Sequence, residues 1–367
     1  MISPNNAVYR VFVSYSRDDR PVVQHIVNIL RANGFEVMWD EDFAFGQGFP
    51  QQIRNFIAHS HVFLPVLTKL ANERKWVHQE IGYAMALNVP VLPVAIGSLP
   101  GEMIEQIHAV SVRPEDVDEL SSKLTPDTVR SLVDANASQN SALYECADYP
   151  QTRANMITQH CEAVVALRRF GLVRQKGGLT TFHLPTELIQ HRKWKDRYDP
   201  PSNYIPEHCI AQRSERLAIT KHAIAAGCKL IIIPPSQVYL NFGATARLSR
   251  LRCIQEFLSA MSDEQCQVAL RPGADANDNL LIVGNWFAAE SVSMRREYRQ
   301  TIFTRHAPTV AAKVTAFDTE FDELLDDAKT KAIESRRRAV DLIDAEIKKI
   351  LDNAASSVSA TEAARSD

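Results

Sequence analysis

Trp76 and Glu80 stand four residues apart in the stretch WVHQEIGYA, Trp76–Ala84. That spacing puts both on one face of an α-helix, with Trp76 the nearer to the helix start. A tryptophan offers a flat apolar surface against which a heteroaromatic ring can stack. An ionised carboxylate beside it can accept hydrogen bonds from sugar hydroxyls. It can also stabilise positive charge on a sugar carbon, the charge that develops as a glycosidic bond breaks. That charge is larger in the transition state than in the bound substrate, so a fixed carboxylate lowers the barrier more than it tightens binding. Where the leaving ring departs from a cation as a neutral molecule, no general acid is needed and one carboxylate is enough.

Other chemistries have less to stand on. Ser14 and Ser16 have no His and Asp partners that the spacing implies, which disfavours a serine hydrolase. His25, His59, His61 and His78 are dispersed. The six cysteines occur singly, with no CxxC pair and no Cys/His cluster at zinc spacing, so no metal site is expected. Scattered thiols of this kind read as buried and reduced, in a cytoplasmic protein.

The elements that must hold Glu80 follow from hydrophobic periodicity. Tyr9–Tyr15 (YRVFVSY) reads as a buried strand. Apolar positions at Val22, Val23, Ile26, Ile29 and Leu30 predict a helix from about Asp19 to Asn33, which Gly34 stops. A strand at Phe35–Trp39, a glycine-containing loop at Asp40–Phe49 and a helix opening on Pro50 follow. Next come a strand at His61–Leu67, a helix at about Arg74–Leu87, a strand at Pro90–Ile96 and a short element near Ile107–Val112. Alternation at this pace predicts a parallel sheet covered on both faces. Ligands of such sheets bind beyond the carboxyl ends of the strands, where the topology switches. The segments Ser14–Asp19, Asp40–Phe49 and Thr68–Trp76 therefore line the expected site.

VFVSYSRDD (Val11–Asp19), FEVMWDEDFAFGQGFPQQI (Phe35–Ile53) and WVHQEIGYA, in that order, resemble the TIR family over roughly residues 8–112. The resemblance implies a flavodoxin-like TIR fold and, in catalytic members, cleavage of NAD⁺ to nicotinamide and an ADP-ribose species. NAD⁺ is then substrate and no cofactor is required. It assigns the catalytic carboxylate to Glu80. It places Ser14, Tyr15, Ser16, Arg17 and Trp76 in the nucleotide pocket, with Phe43, Phe45 and Gly46 on a loop that completes the site by packing against a neighbouring TIR domain. Val77 departs from the Cys that many members carry after the Trp. The resemblance also implies self-association and an effector role of the kind found in bacterial anti-phage defence. The alternatives are a TIR adaptor without chemistry and a nucleic-acid-binding regulator.

At 367 residues, with 45% hydrophobic and 23% charged residues, the chain is long enough for two or three cores. The organisation expected is a TIR domain at 1–115 and a linker at 116–150. A winged-helix-like connector at 151–200 and an α/β regulatory or sensor domain at 201–326 follow, then a C-terminal helix and disordered tail at 327–367. The winged-helix reading rests on a helix at Thr152–Phe170 followed by two short strands around Gly177 and Gly178. Asp318–Asn353 reads as one long charged helix. LLIVGNWFAAESV (Leu280–Val292) and YRQTIFTRHAP (Tyr298–Pro308) resemble phospholipase-D-like domains of bacterial regulators. The His-x-Lys signature of that superfamily is absent, so no activity is expected there. A formal net charge of -3 gives no overall pull toward nucleic acid or anionic membrane. Eight Lys and Arg between Arg168 and Arg197, against Glu187 and Asp196, form a basic stretch that could contact phosphates. No signal peptide and no spanning segment are expected, and the activating ligand or protein is left open.

Overall fold

Val11, Phe12 and Val13 are β-branched or aromatic and fully buried, and they form the centre of β1 (Arg10–Ser14). In the computed structural model, residues 7–39, 42, 49–72, 75–97, 109–137, 144–177, 207–238, 244–272, 279–293 and 299–363 are described. A 3-10 turn at Arg17–Asp19 leads into α1 (Arg20–Ala32), which buries Val23, Ile26, Val27 and Leu30 against the sheet. Asn33 caps it and Gly34 follows at φ +82°, a backbone conformation that suits glycine. Then come β2 (Glu36–Met38), α2 (Phe49–His59), β3 (Val62–Leu67), a short α3 (Lys69–Asn72), α4 (Lys75–Ala86), β4 (Val94–Ile96) and β5 (Val110–Val112).

The five strands are parallel in the order β2-β1-β3-β4-β5. The expected α/β parallel sheet is what the structure contains. From β1 the chain steps to one side for β2 and to the other for β3, so the switch point lies at the carboxyl ends of β1 and β3. Helices α5 (Leu120–Lys123) and α6 (Pro126–Ala137) follow, burying Leu120, Leu124, Val129 and Val133 in the core that α1 shares with one face of the sheet.

This first unit comprises residues 1–145 together with 163–169 and 304–312. The returning segments are structural parts of it. Ala307 belongs to its core cluster. Arg305 donates to the Ala58 carbonyl at 2.6 Å, and its own carbonyl lies 2.9 Å from Nε2 of His61. His61 is buried, and its Nδ1 accepts the Arg10 backbone N–H at 2.9 Å. Burial, then the Arg10 charge, holds His61 well below the usual histidine range, which favours its neutral form immediately before β3.

The second unit is a further α/β region with a seven-stranded sheet in the order β6-β12-β11-β10-β7-β8-β9. Its strands are β6 (Tyr144–Ala147), β7 (Val173–Lys176), β8 (Cys228–Ile232), β9 (Cys266–Leu270), β10 (Asn279–Val283), β11 (Phe287–Ser293) and β12 (Arg299–Thr304). Its helices are α7 (Pro150–Ala166), α8 (Glu207–Ala226), α9 (Ala244–Ser259), α10 (Ala307–Asp327) and α11 (Ala332–Ala363), the first and fourth of which also supply the returning segments named above.

Three readings of this region change. Val173–Lys176, expected as the first strand of a hairpin wing, pairs parallel with β8 and antiparallel with β10. It is an interior strand of the sheet, satisfied on both edges; the second strand expected of that wing lies outside the described residues. The single helix expected at Asp318–Asn353 is two helices. The first ends where Lys329 takes φ +48° and Thr330 N–H returns to the Leu325 carbonyl at 3.0 Å, a C-terminal turn usually built on glycine. The tail expected to be disordered from Ala354 is helical to Ala363. The Ala/Ser/Glu run there contains no helix breaker.

Asp318 on α10 accepts Arg174 Nε at 3.0 Å, Arg174 Nη2 at 2.8 Å and Lys229 Nζ at 3.1 Å. Glu320 accepts Lys176 at 2.8 Å and Arg271 at 2.7 Å. These pairs tie the helix to β7, β8 and the end of β9. Cys146, Cys161, Cys228, Cys253 and Cys266 are free thiols. Among the described residues no helix is long and apolar enough to cross a membrane, and no His/Cys/Asp/Glu cluster could hold a metal.

Candidate active site

Ser14 is the last residue of β1, and its register partner is Pro65 of β3. Pairing within the sheet fixes its backbone. Its side chain is 6% exposed and donates from Oγ to Oε2 of Glu80 at 2.5 Å. Glu80 lies on α4, whose Val77, Ile81 and Ala84 are buried, so the helix inserts this carboxylate at the carboxyl end of the sheet. It is 8% exposed. Burial pushes its pKa up to about 7, and the Ser14 hydroxyl draws it back down. A carboxyl poised near neutrality inside a fold is the kind of group that active sites contain.

The neighbouring residues order the segments around this pair. Tyr15 is buried and stacks on Trp39, with ring centroids 6.2 Å apart and planes at 29°. The Arg20 guanidinium lies 6.0 Å from the Trp39 ring centroid. The Trp39 backbone N–H donates to Asp42 Oδ2 at 3.2 Å, while Asp42 Oδ1 accepts Arg169 Nη2 at 2.6 Å. Thr68 donates to Asp19 Oδ2 at 2.9 Å and accepts the Ala71 N–H at 3.1 Å. This links the turn after β1 to the segment after β3. Burial raises Asp19 above the ordinary carboxyl value, partly offset by Thr68.

Of the residues expected to line the pocket, the structure brings Ser14 and Glu80 into direct contact. It buries Tyr15 and Ser16 beside them and leaves Arg17 exposed. Trp76 is the second residue of α4, one turn before Glu80; its side chain lies outside the described residues. So do Phe43, Phe45 and Gly46. Trp39 is expected from the sequence only as part of a strand, while Asp42 and Thr68 fall inside the segments expected to line the site, without a role of their own. For Trp39 a signal was present, since a tryptophan at the carboxyl end of a strand bordering the switch point is well placed to pack there. An open cavity of about 390 Å³ beyond β4 and β5 includes neither Ser14 nor Glu80 in its lining.

The family model for the TIR domain matches residues 11–125, a span that begins in β1 and ends after α5. Residues 11–125 form a TIR domain. No curated protein matches the chain. Among solved structures, the chain is similar to the TIR domain of the Toll-related receptor TRR-2 from Hydra magnipapillata. The identity is 18% and the TM-score 0.27, with 35% of this chain and 99% of that one covered. The CMP N-glycosidase BcmB of Clostridium botulinum is similar at 17% identity and TM-score 0.24, covering 31% of this chain and 97% of that one. A metazoan TIR-STING receptor from C. gigas, in complex with 2',3'-cGAMP, is similar at 13% identity and TM-score 0.25, with 96% and 87% covered. The TIR domain of this chain thus holds its Ser14–Glu80 pair at the strand ends where α/β sheets bind ligands.

Proposed function

We propose that the TIR domain cleaves the nicotinamide–ribose bond of NAD⁺, with Glu80 as the catalytic carboxylate. One observation carries this reading: a buried Glu80, held by Ser14 at the switch point of a parallel sheet. As the bond breaks, its electron pair leaves with the nicotinamide nitrogen. The ring departs neutral and the ribose carbon is left cationic. Ionised Glu80 stabilises that cation in a low-dielectric setting, where a charge is worth more than in water. Water then adds to the ribose carbon and its proton passes to Glu80, whose pKa near neutrality suits it to receive and release a proton. A cationic substrate favours the ionised form, so binding itself lowers the Glu80 pKa.

The expected products are nicotinamide and ADP-ribose, with cyclic ADP-ribose as a minor product where an adenine nitrogen replaces water. Self-association through TIR domains completes the site in this proposal, and an effector role in cellular defence follows from depletion of NAD⁺. The test is to incubate the purified full-length protein at high concentration with NAD⁺ and follow nicotinamide release by chromatography. Wild type releases nicotinamide and Glu80→Gln releases none. Near wild-type release by folded Glu80→Gln would refute the assignment.

A further inference from the structure

We infer that Ser14 is the positioning residue of this site: its hydroxyl, anchored on β1, donates to Oε2 of Glu80 at 2.5 Å and fixes which carboxylate oxygen faces the substrate. The inference rests on the reading of Glu80 as the working carboxylate. The resemblance to TIR domains implies that Ser14 lines the nucleotide pocket. The geometry adds that its proton is committed to Glu80.

Three observations support this. First, the donor sits on the rigid part of the site. Ser14 is sheet-paired to Pro65 and buried, so its Oγ cannot wander as a loop hydroxyl would. Second, the contact spans 66 residues of sequence and joins the strand end to the helix that carries the carboxylate. With Oε2 engaged by Ser14, Oε1 is the oxygen left to meet a sugar carbon. Third, Ser14 favours the ionised form of Glu80. Burial opposes ionisation and the Ser14 hydrogen bond supports it. A bond this short from a hydroxyl to a carboxylate is among the stronger hydrogen bonds a protein makes. Its loss would leave Glu80 both less ionised at neutral pH and less well aimed.

The test uses full-length Ser14→Ala and Ser14→Thr proteins with two readouts. The first is direct titration of the Glu80 carboxyl by carbon-detected NMR on ¹³C-glutamate-labelled protein, assigned by difference from Glu80→Gln. Ser14→Ala moves the midpoint upward from the wild-type value, and Ser14→Thr, which keeps the hydroxyl, leaves it within a few tenths of a pH unit. The second is the pH profile of nicotinamide release. For an upward move of about one pH unit, the ionised fraction at pH 7 falls from about one half to about one tenth, a roughly fivefold loss that shrinks toward pH 9. The loss appears in kcat and leaves KM largely unchanged.

An unmoved Glu80 midpoint in folded Ser14→Ala overturns the inference. So does an equal fold-loss of activity at every pH, which is what a merely structural hydroxyl would give. Failure of the functional reading looks different, because wild type would then release no nicotinamide while the titration still reports on Ser14.

Discussion

Glu80→Gln should make the TIR domain more stable, by an amount that grows with pH. The ordinary carboxyl value is 4.5 and the folded value is about 7, raised chiefly by burial. Below about pH 4.5 the group is protonated whether the chain is folded or not, and it contributes no penalty. Between 4.5 and 7 the unfolded chain ionises first, so the folded state loses ground as pH rises. Above 7 the penalty is complete, at about 3 kcal/mol. Glutamine at this position has nearly the same shape, never ionises, and still offers an oxygen to the Ser14 hydroxyl. The advantage of Glu80→Gln over wild type should therefore increase by about 2.5 kcal/mol between pH 5 and pH 8. Urea unfolding of full-length proteins, followed by fluorescence of the buried Trp39, reads this at several pH values, with the first unfolding step compared between variants. A gap that stays constant from pH 5 to pH 8 refutes the reasoning, because the carboxyl would then have an ordinary pKa in the fold. A variant that gains stability while losing nicotinamide release is the trade expected of a residue kept for function.

Two further substitutions test the packing. Gly171→Ala would place a methyl 2.6 Å from the Gly284 backbone nitrogen and 2.8 Å from the Val283 carbonyl carbon. It should cost the second unit about 3 kcal/mol, whereas Gly34→Ala, with nothing within 4 Å but φ +82°, should cost about 1 kcal/mol; thermal unfolding separates the two. Asp318→Asn should cost about 1–2 kcal/mol at pH 7 by weakening the bonds from Arg174 and Lys229. These partners outweigh burial and hold Asp318 below the ordinary carboxyl value, so the wild-type advantage should fade as pH drops below about 4, measured by urea midpoints.

The sequence alone determined the order and type of most elements in the first unit. Apolar spacing sets backbone periodicity, and Gly34 and Pro50 mark where helices stop and start. It also determined that Trp76 and Glu80 share a helix, because four residues make about one turn. What lay beyond it was pairing across long stretches of chain. Ser14 meets Glu80 across 66 residues, and Arg169 meets Asp42 across 127; neither partner carries a local signal for the other. Ala307 enters the TIR core from far along the chain. In the second unit, Val173–Lys176 looks like one arm of a hairpin until β8 and β10 claim its two edges. The break at Lys329 has no glycine or proline to announce it; the helix ends there through a backbone turn the sequence does not advertise. The raised pKa of Glu80 belongs wholly to tertiary structure. A glutamate on an isolated helix titrates in water, and only the packing of α4 against the sheet removes that water and leaves the Ser14 hydroxyl in its place.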